Sequence, residues 1–234
     1  MSLKRKSNDI YFGSKNKIHK KDKTHKSKDN DSCSDDETSN IKGNLIDALS
    51  KKNSDSKIER ESNHIYFYSE INRETIFDLL AHIREAEEDC MYLQYKLNIE
   101  EVPIYLHINS YGGSIHAAFA AIDAIMSCKI PIYTIIEGAT ASAGTLISIV
   151  GKKRYIRANS MMLIHELSAG CWGKMSEIED EYKNLQDLMV KIKKIYKDHT
   201  HLPKKELSEI LKHDIWFDAD LCLKHGLVDE LWTK

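Results

Sequence analysis

The sequence predicts an α/β fold with a parallel sheet, on three observations. Two apolar runs, Ile104-Tyr105-Leu106-His107-Ile108 and Ile130-Pro131-Ile132-Tyr133-Thr134-Ile135-Ile136, read as buried strands. Each runs through a glycine-containing turn, Asn109-Ser110-Tyr111-Gly112-Gly113 or Gly138-Ala139-Thr140-Ala141-Ser142-Ala143-Gly144, into a helix-like segment. Strand, turn and helix repeated in this order are the signature of right-handed crossover units. Sites in such folds lie beyond the carboxyl ends of the strands, where both turns fall.

The 234 residues allow one large domain or two small ones. Residues 1–62 read as a polar, largely disordered extension, and residues 63–234 as the folded domain. Lys, Ser, Asp and Asn dominate residues 13–40, so ordering them costs entropy without burial in return. The basic run Lys15 to Lys28 fits a solvated tail better than a nuclear-import signal or a polyanion contact. Ser32-Cys33-Ser34-Asp35-Asp36-Glu37 has the acidity of a serine-kinase target, and Asn44 to Leu49 has the pattern of a short helix. Residues 1–30 hold ten Lys/Arg against three Asp/Glu, whereas residues 64–234 hold nineteen against twenty-five. A mildly acidic body argues against a nucleic-acid surface there. No apolar run approaches the ~20 residues of a membrane span, and the first residues lack the apolar stretch of a secretory signal. The five cysteines, 33, 90, 128, 171 and 222, are scattered without metal-ligand spacing. They suit reduced thiols of a cytoplasmic protein, and nothing calls for a metal or a cofactor.

In chain order, Ile65 to Tyr68 is a strand. Asn72-Arg73-Glu74 caps a long helix whose apolar positions 76, 79, 80, 83, 86 and 90 share one face. The strand at Ile104 leads through the first glycine turn to a helix from Ser114 to about Cys128. The strand at Ile130 leads to the serine turn and a buried helix, Thr145 to Val150. Tyr155-Ile156 and Met161 to Ile164 read as two further strands. Ser176 and Glu179 are spaced as a capping box for a helix reaching His199. Its apolar positions 178, 182, 185, 189, 192 and 196 alternate steps of four and three, a seam that suits a partner helix and its own core equally. Leu207 to Lys212 is helical, Asp218 caps a short helix ending at Gly226, and Leu227 to Leu231 forms the last strand.

Ser142 stands among tiny residues at a strand-to-helix turn, as a nucleophile approached closely by substrate requires. Helix-start amides beside it can face a carbonyl oxygen. The same stretch, taken alone, also describes a small-residue packing contact. A serine nucleophile needs a base and a group to orient that base. Of eleven histidines, His165 is best placed, at the end of a buried strand on the same sheet edge; His116 lies just inside the helix after the glycine turn. For the carboxylate, Asp214, Asp218 and Asp229 all lie near element ends, and spacing does not choose among them.

From about residue 64 to 232 the sequence resembles the proteolytic subunit of the Clp protease, the ClpP family of serine peptidases. The resemblance rests on Ile108-Asn109-Ser110-Tyr111-Gly112-Gly113-Ser114, on the turn from Gly138 to Gly144, and on Gly151-Lys152-Lys153-Arg154. It continues through Ala158-Asn159-Ser160, Met162-Leu163-Ile164-His165-Glu166, Ser168 to Gly173 and Glu177-Ile178-Glu179. It ends with His213-Asp214-Ile215-Trp216-Phe217-Asp218-Ala219 and Lys224 to Asp229. Position by position, the resemblance implies Ser142 as nucleophile, His165 as general base and Asp214 as its orienting acid. It implies an oxyanion hole from the N–H groups of Gly113 and Ala143, with Gly112, Gly170 and Trp172 beside bound peptide. It further implies a crotonase-like fold of stacked ββα units with a long handle helix, and a homo-oligomer of two stacked seven-membered rings. Polypeptide substrates and an AAA+ unfoldase partner follow from the same resemblance.

Four positions depart from the family pattern. Tyr111 replaces a proline, Ala143 a methionine and Glu166 a glutamine, and Trp172 stands in the glycine-rich strand along bound peptide. Glu166 places a negative charge beside the base, which favours its protonated form. Two other functions share parts of this pattern: a crotonase-type acyl-CoA enzyme, with a similar oxyanion hole, and a non-catalytic ring subunit beside an active paralogue.

Overall fold

The structure is a computed structural model describing residues 11–12 and 57–233. The chain divides into a unit of Met1–Gly13 with Ser56–Lys234 and a second unit of Ser14–Asp55, and every described residue belongs to the first. The basic run, the acidic serine stretch and the short helix at Asn44 lie outside the described residues.

A two-residue strand, β1 (Tyr11–Phe12), precedes β2 (Lys57–Glu61), β3 (His64–Tyr68) and helix α1 (Arg73–Leu97). β2 lies on the N-terminal side of the expected boundary at residue 62. It forms an antiparallel hairpin with β3, from Lys57 opposite Tyr68 to Glu61 opposite His64, turning at Ser62 with φ 56°. Its sequence Lys-Ile-Glu-Arg-Glu has almost nothing to bury, so no apolar signal marks it. Backbone pairing holds it, together with Arg60, whose guanidinium reaches Glu85 and Asp89 on α1.

α1 begins as expected. The Asn72 side chain accepts the Thr75 N–H at 3.0 Å, and Thr75 Oγ1 accepts the Asn72 N–H at 3.0 Å. Ile76, Leu79, Ile83, Ala86 and Cys90 form its buried face. Then follow β4 (Ile104–Ser110), β5 (Gly113–Ser114), α2 (Ile115–Ser127), β6 (Ile132–Ala141), α3 (Ala143–Ile149), β7 (Lys153–Ile156) and β8 (Met161–Leu163). The chain ends with α4 (Met175–His199), α5 (Lys204–Ile210), β9 (Trp216–Phe217), α6 (Ala219–Lys224) and β10 (Glu230–Leu231).

The main sheet has the order β10-β7-β6-β4-β3-β2, and all neighbours but the β2–β3 hairpin are parallel. The sequence ends the central strand before Gly138, but β6 continues to Ala141. Its first half pairs with β7, and its second half, from Ala139 to Ala141, pairs with β8. The register slips at Gly138: Ile108 faces Ile136, while Ser110 faces Thr140. This bulge carries the strand past its neighbours and delivers Ser142 to a separate corner made by β8 and β9.

Ile65, Phe67, Leu106, Ile108 and Ile136 pack with apolar faces of the helices in one core. Each such side chain contributes about 1.5–3 kcal/mol by leaving water. α4 starts one residue earlier than its expected cap. The Glu177 carboxylate accepts the Lys174 N–H at 3.1 Å, so Lys174 is the cap and Ser176 lies inside the helix. The two readings of its seam divide along its length. Ile192 and Tyr196 are buried in the chain's own core and Leu185 and Met189 pack against it, whereas Tyr182 is exposed.

Candidate active site

Two strand registers bring the expected residues together. β6 and β8 run parallel with Ala141 beside Leu163, so Ser142 leaves one strand as the segment to His165 leaves the other. β8 and β9 run antiparallel with Leu163 opposite Trp216. Continuing that register by two residues sets His165 opposite Asp214. The structure has this contact: His165 Nδ1 lies 3.6 Å from Asp214 Oδ1, an ion-pair distance longer than a hydrogen bond. Catalytic contacts are often this loose without substrate.

The other candidates are otherwise engaged. Asp229 accepts from the backbone N–H and guanidinium of Arg154, and Asp218 accepts the Leu221 N–H at 2.9 Å as the cap of α6. His107 is buried between His64 Nδ1 at 2.9 Å and Glu137 at 3.1 Å. His116 is exposed on α2, its ring edge-on to Phe119.

Ser142 is 1% exposed and takes φ 60°, ψ −128°. A non-glycine residue there costs on the order of 1–3 kcal/mol and persists only where its surroundings fix it. Both peptide groups around it are pinned. Its N–H donates to the Leu163 carbonyl at 2.8 Å, and its carbonyl accepts the N–H of Thr145 at 3.0 Å and the Thr145 hydroxyl at 2.6 Å. Thr145 is the residue sequence reasoning passed over; its signal was a hydroxyl three positions after the serine, at a helix start.

Gly112 backs onto the serine. With φ +97°, a Cβ on Gly112 would lie 2.7 Å from Ser142 Cβ and 3.0 Å from its Oγ. Gly113, with φ +142°, has equally little room, because a Cβ there would fall on the Ile71 carbonyl oxygen. Ile71 donates to the Gly112 carbonyl at 2.8 Å and accepts from the Ser114 N–H at 2.7 Å. These bonds leave the N–H of Gly113 on the opposite edge of β5. There the antiparallel β1 sets Phe12 beside Gly113 and Tyr11 beside Ser114. Residues 11–12 of the extension thus pair with the strand that carries Gly113. Ala143 opens α3, where first-turn amides have no partner within the helix.

Gly170 and Trp172 are not gathered in. Both are exposed in the stretch between β8 and α4, Trp172 at 90%, and that stretch forms no strand. A strand needs a paired neighbour, and among the described residues this chain supplies none there. Tyr111 stands at the lip of the site, its ring edge-on to that of Trp216 at 6.3 Å.

Burial pushes the His165 pKa below the ordinary value of 6.5, while Asp214 and then Glu166 push it back up. The expected influence of Glu166 is present in sign, but burial outweighs it. Among the described residues, no group of three or more His, Cys, Asp or Glu is placed to hold a metal.

A serine on a strained strand-to-helix turn, a buried histidine at the end of the next strand and a carboxylate opposite it form the constellation that serine hydrolases use. The chain belongs to the Clp protease family, whose profile matches residues 58–234. It is 36% identical over 131 residues to the ATP-dependent Clp protease proteolytic subunit 2 of Treponema denticola, covering 55% of this chain and 66% of that protein. It is 34% identical over 134 residues to the subunit of the same name from Treponema pallidum, covering 56% and 67%. Against the ATP-dependent Clp protease proteolytic subunit of Streptococcus mutans it is 35% identical over 132 residues, covering 55% and 67%. The fold matches a point mutant of ClpP1 from Listeria monocytogenes with TM-score 0.63 and 24% identity, over 83% of this chain and 96% of that one. Neither the acyl-CoA enzyme nor the non-catalytic subunit finds support among these relatives. The family is one of peptidases.

Two outcomes test this geometry. Gly112→Ala is expected to displace Ser142 and lower kcat for a fluorogenic peptide about a hundredfold, with unchanged circular dichroism. As the base must be neutral, activity rises with pH through the His165 pKa, so the acidic limb of kcat/KM lies below pH 6.5. Glu166→Gln removes one upward push and moves that limb lower still; a pH–rate profile of both proteins checks the direction.

Proposed function

We propose that this chain is a self-compartmentalised serine endopeptidase that hydrolyses peptide bonds of unfolded polypeptides. The register that sets His165 opposite Asp214, one strand from Ser142, carries this reading. Ser142 Oγ attacks the peptide carbonyl while His165 takes its proton. Asp214 holds Nδ1, which leaves Nε2 for the serine. The N–H group of Ala143, and that of Gly113 once β1 no longer covers its edge of β5, donate to the oxyanion, and His165 returns the proton to the leaving amine. Water, deprotonated by His165, then releases the acyl group. Gly112 shapes the turn behind the nucleophile, and Gly170 and Trp172 flank the peptide once an assembled neighbour or the substrate orders their segment.

The assembly we propose is two stacked seven-membered rings in the cytoplasm, fed by an AAA+ unfoldase. α4 supports it: Met175 is 71% exposed, Tyr182 62% and Val190 67%, more apolar surface than a solvent-facing helix carries. The relatives are ATP-dependent by name, and this sequence contains no G-x-x-x-x-G-K-S/T loop, which fits ATP hydrolysis by a separate partner. Among the described residues no helix is long and apolar enough to cross a membrane.

Ser142→Ala is expected to abolish both peptide hydrolysis and labelling by a fluorophosphonate probe while leaving the melting temperature near that of the parent. Retention of most activity in a clean preparation would remove the serine-protease reading. Tyr182→Glu with Val190→Glu, both exposed on α4 in the single chain, is expected to split the assembly into single rings or smaller pieces and to weaken hydrolysis, since charges there are costly to bury between subunits. Mass photometry of both proteins reads this; a parent that stays monomeric at micromolar concentration yet cleaves peptides would sink the ring assignment.

A further inference from the structure

Among the described residues Tyr196 is the largest fully buried side chain, and it ends in a hydroxyl. That hydroxyl lies 2.5 Å from Thr145 Oγ1, and both residues are inaccessible to solvent. Thr145 has one hydroxyl hydrogen, and it is directed at the Ser142 carbonyl at 2.6 Å. Tyr196 is therefore the donor of the pair. The result is a directed chain, from Tyr196 O–H to Thr145 O–H to Ser142 C=O, running from α4 through the first turn of α3 to the nucleophile.

We propose that Tyr196 and Thr145 are positioning residues for Ser142, acting through its carbonyl. This rests on the protease reading, but the argument is one of local geometry. Threonine in a helix divides between two χ1 rotamers, because its oxygen can bond a carbonyl one turn back. Only one of these places Oγ1 on the Ser142 carbonyl. The donation from Tyr196 selects that rotamer, since water cannot reach the threonine to substitute. Ser142 sits at φ 60°, a conformation the chain leaves readily unless both flanking peptide groups are held. Leu163 holds the amide and Thr145 the carbonyl, so losing the Tyr196 donor loosens one of two anchors. Packing alone gives no reason for the hydroxyl: phenylalanine would fill the same space without burying a polar group. Burial also raises the Tyr196 pKa far above the ordinary tyrosine range, so the donor keeps its proton at any working pH.

The test uses the full chain. Tyr196→Phe is expected to lower kcat about fivefold to tenfold, the scale of one buried hydrogen bond, with KM within about twofold. Fluorophosphonate labelling of Ser142 slows by a similar factor. Thr145→Ser keeps both bonds and retains near-parental kcat, while Thr145→Val falls at least as far as Tyr196→Phe. The double variant Thr145→Val with Tyr196→Phe is no slower than Thr145→Val alone, because the two act in series. Should Thr145→Val fail to fold, Tyr196→Phe and Thr145→Ser decide the matter. A Tyr196→Phe protein that melts lower yet keeps parental kcat and labelling rate would make Tyr196 a packing residue and overturn the proposal. If the parent itself neither labels nor hydrolyses, the protease reading fails, and hydrogen exchange in peptides spanning residues 140–148 still decides: faster exchange in Tyr196→Phe supports positioning, and unchanged exchange refutes it.

Discussion

The hydrogen bond from the Ser142 N–H to the Leu163 carbonyl is the contact on which the site depends. It joins the end of β6 to β8 where the chain turns into α3 and takes a backbone conformation that alanine or serine seldom adopts. Without it, Ser142 and the strand leading to His165 have no fixed relation. The Gly138 bulge exists to make this bond available. The two residues that β6 gains on β4 there lie between its part that pairs with β7 and its part that pairs with β8.

The rest of the site follows from that junction. The parallel pairing sends Ser142 and His165 out of the sheet at the same end, and the antiparallel return of β9 sets Asp214 across from His165. Two short strands thus do what a long loop could not, since each fixes His165 or Asp214 by backbone pairing a residue or two away. The glycine turn closes from the other side, where Gly112 leaves no space for a side chain against Ser142. Burial then supplies the electrostatics: it lowers the His165 pKa against the upward push of Asp214 and Glu166.

α4 serves two environments at once. Its second half completes the core, with Tyr196 against α3, and its first half extends beyond the body with apolar residues facing outward. A regular seam of fours and threes cannot distinguish these roles, because burial within the chain and burial against a partner demand the same residue types. The length of the helix, set against the size of the core, makes the division.

The α/β class, the long helices, both glycine turns and the candidates Ser142 and His165 were legible in the sequence, because apolar periodicity and small residues at strand ends are local signals. Asp214 was legible only through family resemblance; local spacing left it equal to Asp218 and Asp229. The tertiary structure separates them, since Asp229 is held by Arg154 and Asp218 by its helix. It also adds β2, hidden because an edge strand of alternating charges carries no apolar signal, and it carries β6 through Gly138. The Tyr196–Thr145–Ser142 chain is decided by tertiary structure alone. Its members stand 51 and 3 residues apart, and no local pattern relates a tyrosine on one helix to a carbonyl at the start of another. The sequence by itself determined which residue types are present for the chemistry; packing decided which of them meet, because contacts between distant segments are set by strand register and helix docking.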